Sequence, residues 1–212
     1  MNGKRWRKAG ALAALSLSLA APVDAVLLYG DGDPVSVEPA IEYHNAALGE
    51  YFFTVSADEI AALDAGSARG WVRTRFAFFT VDGPASVHVV SGKRAKASPV
   101  CRYFIPPASH FLSASSEECA AIGALVARAV LESDAAFYAW LPGDDGGCPR
   151  PFAKIGGFEF APVYRLWDND RQAAHRLTAS KSERDAMVAD GWISEGYGKD
   201  GVAMCVPSWG GK

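Results

Sequence analysis

The chain has 212 residues, 24 acidic and 21 basic side chains, a formal net charge of −3 and an apolar fraction of 50%. These values exclude a disordered chain, a collagen-like repeat and a multi-span membrane protein. The cations are unevenly spread: Lys4, Arg5, Arg7 and Lys8 open the chain, a mainly apolar run covers residues 9–21, and Pro22-Val23-Asp24-Ala25 follows.

A basic start, a short apolar stretch and a small-residue site form a secretory signal peptide over residues 1–25, cleaved near Ala25. The apolar run falls short of the ~20 residues a membrane span needs. Cleavage removes four cations and one anion and leaves residues 26–212 as one domain of 187 residues with a net charge of −6. A net-acidic domain lacks the basic surface that neutralises phosphates and the polybasic cluster that draws proteins to anionic lipid. Neither nucleic acid nor a membrane span is therefore expected of the mature form. The expected location is secreted, in the periplasm or outside the cell.

Three stretches, at about 38–80, 99–140 and 162–207, then repeat one pattern. The first reads Ile41-Glu42-Tyr43-His44-Asn45, Tyr51-Phe52-Phe53-Thr54 and Ser56-Ala57-Asp58-Glu59. The second reads Cys101-Arg102-Tyr103-Phe104, His110-Phe111-Leu112-Ser113 and Ser115-Ser116-Glu117-Glu118. The third reads Tyr164-Arg165-Leu166-Trp167-Asp168, His175-Arg176-Leu177-Thr178 and Ser180-Lys181-Ser182-Glu183. The first two blocks of each are aromatic, β-prone and separated by turn residues, so each predicts a hairpin.

The third block, Ser-x-x-Glu, is a capping box: the serine hydroxyl takes the N3 amide and the glutamate reaches back to the serine amide. Short helices are predicted over 60–64, 119–129 and 184–189, ended by Gly70-Trp71 and Gly191-Trp192 in the first and third copies. Strands follow over 76–80, 135–140 and 202–206. Residues 81–98 and 141–161 have linker composition. A unit this small cannot bury its own apolar face. The expected fold is therefore α+β, a single pseudo-threefold domain of three β-β-α-β repeats, arranged like a β-trefoil with short helices.

Cys101, Cys119, Cys148 and Cys205 all lie in the mature part, with no C-x-x-C pair and no zinc-type spacing. An even number in an exported chain points to disulfides. Cys101 opens the second copy and Cys119 enters its helix; Cys148 precedes the third copy and Cys205 ends it. The expected pairs are Cys101–Cys119 and Cys148–Cys205, adding about 3 and 4 kcal/mol in the chain-entropy description.

Taken together, Tyr164-Arg165-Leu166-Trp167-Asp168, His175-x-x-Thr178, Ser180-x-x-Glu183-Arg184-Asp185, Gly191-Trp192 and Glu195-Gly196 resemble a bacterial secreted repeat domain of unknown function. Its motif runs Tyr-Arg-Leu-Tyr-Asn, His-Phe-Tyr-Thr, Glu-Arg-Asp, Gly-Trp and Glu-Gly. The third copy carries the most specific likeness and the second is the most degraded. The resemblance spans about residues 38–207. Members often stand beside cell-wall hydrolases, which implies an accessory or binding role.

The chain holds no G-x-S-x-G elbow, H-E-x-x-H pair, Walker loop or G-x-G-x-x-G turn. Glu59, Glu118 and Glu183 occupy matching positions, but a glycosidase needs two carboxylates about 5–10 Å apart across a sugar, and these three are assigned to capping. Tyr51, His110 and His175 also match, and a threefold axis would bring them together. Two imidazoles and a phenol are a poor zinc set, so no metal and no cofactor are expected. Asp31-Gly32-Asp33 and Asp168-Asn169-Asp170 lack the remainder of an EF-hand and read as turns.

Trp167 beside Asp168, Asn169, Asp170 and Arg171, and His44 with Asn45 in the matching turn, place rings among hydrogen-bonding groups. That mixture suits sugar recognition. The expected function is a non-catalytic module binding cell-wall or cell-surface carbohydrate. The alternatives are an envelope protein-interaction or structural module and a hydrolase with an unrecognised site.

Overall fold

The computed structural model describes residues 28–29, 34–151, 158–169 and 174–209. The expected signal peptide over 1–25, the Asp31-Gly32-Asp33 stretch, Asp170 and Arg171 lie outside these residues. The short strands β1 (Leu28–Tyr29) and β2 (Pro34–Val35) pair with each other.

The first segment is β3 (Val37–Asn45), β4 (Glu50–Thr54), α1 (Ala57–Asp64) and β5 (Trp71–Val81). After β6 (Ser86–His88), the second is β7 (Arg94–Ile105), β8 (Ser109–Ser113), α2 (Ser116–Leu125) and β9 (Val130–Trp140). The third is β10 (Phe158–Asp168), β11 (Ala174–Thr178), α3 (Lys181–Ala189), β12 (Ile193–Glu195) and β13 (Val202–Trp209). The fold is thus mixed α and β, an open antiparallel sheet with three short helices. Each segment folds its first two strands into a hairpin and lays its last long strand on the far side of the first.

The strands run longer than expected, and one expected linker is itself paired. β6 and the start of β7 form a hairpin across Gly92, with Ser86 opposite Lys96. The alternation Val87–His88 against Arg94–Ala95 is short enough for the surrounding Gly, Lys and Arg to hide it. Gly70 has φ +86°, and a Cβ there would stand 2.9 Å from Asn45 Nδ2, so the stop after α1 requires glycine twice over.

The core draws on matching positions of the three segments. Ala40 pairs with Phe78, Val100 with Phe137 and Val163 with Met204, and Phe53, Leu112 and Leu177 pack into the same buried cluster. A side chain of this size contributes about 1.5–3 kcal/mol when fully buried. A second cluster gathers Val81, Trp140, Cys205, Leu166 and Trp192. By contrast, α1 and α2 bury no residue and α3 buries only Arg184 and Met187, so the strands carry the packing.

Both expected disulfides are present, Cys101–Cys119 and Cys148–Cys205. Among the described residues no helix is long and apolar enough to cross a membrane. The disulfides are compatible with an exported protein.

Candidate functional site

The three serines cap their helices as expected: Ser56, Ser115 and Ser180 accept from the amides of Glu59, Glu118 and Glu183. The glutamates do something else. The hydroxyl residue two places before each cap, Thr54, Ser113 or Thr178, accepts from the serine amide. That frees the carboxylates to leave the capping box. Thr54 and Ser113 donate to Glu59 and Glu118, and each glutamate turns to an arginine of another segment.

Arg102 in β7 donates to both oxygens of Glu59, at 2.9 and 2.6 Å. Arg165 in β10 does the same to Glu118, at 2.9 and 3.0 Å. Each guanidinium also lies over a ring of that neighbouring segment, Arg102 over Phe52 at 5.0 Å and Arg165 over Phe111 at 4.4 Å. Both also hold a carboxylate within their own segment, Glu132 and Glu195 respectively.

At the third boundary the charge is inverted. Glu42 stands where Arg102 and Arg165 stand, and Arg176 stands where Phe52 and Phe111 stand. Arg176 bridges Glu42 at 2.9 Å and Glu183 at 2.5 Å. Thr74 donates to the same Glu42 carboxylate.

These pairs set the electrostatics. Burial alone would raise the Glu59 and Glu118 carboxyls, but hydrogen bonds and charge from Arg102 and Arg165 outweigh it and hold both below the usual range. Glu132 is lowered first by His110, whose Nε2 lies 3.7 Å from its Oε2, and then by Arg102, against the effect of burial.

The rings flagged in the sequence meet across the hairpins. The strand register sets His44 opposite Tyr51, Phe104 opposite His110 and Trp167 opposite His175. Their centroids are 4.4, 5.4 and 6.5 Å apart, and all six rings are half-buried. On the far side of the first strand, Val72, Val130 and Ile193 face His44, Phe104 and Trp167, and all three are exposed.

Tyr51, His110 and His175 each pack at a different boundary. Tyr51 meets Trp192 and the Arg176 guanidinium, His110 meets the Phe52 edge, and His175 meets the Phe111 edge. Among the described residues, no three His, Cys, Asp or Glu side chains are grouped to hold a metal ion.

Of the residues expected to contact sugar, Trp167 is half-buried and Asn169 exposed, while Asp168 is buried. Asn45 is also buried. Its Oδ1 accepts from the Ala47 and Leu48 amides and its Nδ2 donates to the Arg69 carbonyl, so it closes its own turn.

One arrangement was not anticipated. Ser109 Oγ lies 3.3 Å from His175 Nδ1, and His175 Nε2 lies 3.6 Å from Glu195 Oε2. A hydroxyl, an imidazole and a carboxylate in line are the parts of a nucleophilic site. Here Ser109 is 0% exposed, so an ester or amide carbonyl has no access to its oxygen in this conformation.

The charge inversion is what sequence reading passed over. Glu42 against Arg102 and Arg165, and Arg176 against Phe52 and Phe111, are both visible once the copies are superposed. They gain meaning only together.

Residues 156–202 match the sequence profile of a family described as Domain of unknown function (DUF5648). The match falls on the third segment, where the resemblance is most specific. No curated protein and no solved structure is matched by the chain.

Proposed function

We propose that the protein is an exported, non-catalytic binding module for a cell-wall or cell-surface glycan. The observation that carries this reading is the ring row at the end of the third hairpin. Trp167 is half-buried and stacked on His175, with exposed Ile193 on one side and exposed Asn169 two residues on. An indole with open apolar area accepts the CH face of a sugar, and a neighbouring amide orients its hydroxyls.

Matching rows at His44–Tyr51 and Phe104–His110 support the reading, because three weak contacts on one body add avidity toward a polymeric ligand. We further infer that the three segments are related by a pseudo-threefold axis in a β-trefoil-like arrangement. The matching core positions and the cyclic order of the boundary contacts support it. Cleavage near Ala25 delivers the domain to an oxidising compartment where its disulfides persist.

Binding to insoluble peptidoglycan and to a glycan array, comparing wild type with Trp167→Ala, tests the reading. Retention of wild type and loss of the variant support it; a blank result with wild type counts against it.

The second reading, an envelope protein-interaction module, is favoured by the exposed apolar side chains Leu125, Val130 and Leu131 around α2 and β9. A crosslinking pull-down that captures protein partners and no glycan would support that reading.

A further inference from the structure

The second strands of the three hairpins, β4, β8 and β11, pack against one another. Their first residues, Glu50, Ser109 and Ala174, occupy the same register position, opposite Asn45, Ile105 and Asp168, and all three are 0% exposed. Alanine and serine suit such a place. Glutamate does not: both Glu50 carboxylate oxygens are buried and neither has a hydrogen-bond partner.

We propose that Glu50 is a proton-operated latch on this junction: protonated, it lets the three hairpin ends close together, and ionised, it loosens them. A buried carboxylate without a donor is far costlier than a buried neutral acid.

The groups around it reinforce that preference. The Asp168 carboxylate, from β10, adds a like charge; the Ser109 hydroxyl, from β8, opposes it in part. From β11, His175 is engaged with Ser109 and Glu195, and Arg176 is held by Glu42 and Glu183. His110 on β8 faces Glu132 and Phe52. On β3, His44 is stacked on Tyr51, and its pKa is lowered first by burial and then by the Arg176 charge. Burial first, and then Asp168, push the Glu50 carboxyl up to about 7.

An acid raised in the folded state relative to the unfolded one contributes most at low pH, and that contribution is lost as pH climbs from the ordinary carboxyl value through about 7. The latch is therefore closed in mild acid and released near neutrality.

Urea unfolding of the wild-type chain and of Glu50→Gln, followed from about pH 5 to about pH 8.5, tests this. The wild-type unfolding constant is expected to rise roughly a hundredfold across that range. The glutamine variant, which mimics the protonated acid in shape, is expected to lack that rise. Amide protection factors, corrected for the intrinsic pH dependence of exchange, are expected to fall in the turn at 46–49 in the wild type alone. Parallel pH profiles for the two proteins would overturn the proposal. If Glu50→Gln does not fold, a carbon-detected titration of Glu50 in the wild type decides instead: a midpoint near 7 supports the latch and one near 4.5 overturns it.

Discussion

Arg165 in the third segment and Glu118 in the second are locked by two parallel hydrogen bonds, with the guanidinium side chain only 4% exposed and laid over the Phe111 ring. Arg102 repeats this toward Glu59 and Phe52 at another boundary. An arginine fork fits a carboxylate bidentately and tolerates an aromatic face, which an ammonium group does less well. These ties join each segment to the next.

Arg165→Ala leaves Glu118 and Glu195 without their cation, though both remain partly open to water. The expected loss is about 2–3 kcal/mol in chemical denaturation, below the value for a wholly buried pair. Arg165→Lys should lose less, since it keeps the charge but not the fork.

The inverted boundary makes a sharper prediction. Glu42→Arg alone sets a second guanidinium against Arg176, and Arg176→Phe alone strands a fully buried Glu42. Each is expected to cost about 3–5 kcal/mol. The double variant Glu42→Arg, Arg176→Phe recreates the pattern of the other two boundaries, with the new arginine facing Glu183. Its stability should return to within about 1–2 kcal/mol of wild type, a strong coupling in a double-mutant cycle. Additive losses would mean that the three boundaries are not equivalent.

Acid should destabilise the protein. Glu59, Glu118 and Glu132 have carboxyls lowered in the folded state. Such groups contribute stability above the ordinary carboxyl value, and that contribution is lost as pH falls through their folded values. Melting temperature measured downward from about pH 5 should drop, and Arg102→Ala together with Arg165→Ala should flatten the decline.

Serine caps are worth about 1 kcal/mol each. Ser180→Ala should show that loss in full, because α3 alone among the helices buries side chains, Arg184 and Met187. Ser56→Ala in α1, which buries none, should fray its helix with a smaller effect on global unfolding.

Local chemistry was legible in the sequence. The hairpins, the serine caps, the Gly-Trp stops and both disulfides follow from residues close together in the chain, or from their place in a repeat. What was not legible depends on distant partners. Glu59, Glu118 and Glu183 sit at the N3 position of a capping box, yet the hydroxyl residue two places before each cap takes the serine amide; Glu59 and Glu118 then serve arginines of neighbouring segments, and Glu183 holds Arg176, which reaches across to Glu42. The Glu42–Arg176 tie joins residues 134 apart. Glu50 has the residue type of an exposed turn, and only the meeting of three hairpins buries it. For the ring rows, the sequence marked Trp167 and His44, while the pairing register supplied His175 and Tyr51 as their stacking partners.

The glycan-binding reading is tested most directly by retention of the purified mature protein on insoluble peptidoglycan, with Trp167→Ala as the comparison and thermal unfolding as the check on its fold. Trp167 is half-buried, so the variant should remain folded with a modest loss of stability. The account predicts that wild type is retained and displaced by soluble wall fragments, while folded Trp167→Ala is released at least tenfold more readily, about 1.4 kcal/mol of binding. Equal retention of the two proteins, or no retention of either, would contradict it.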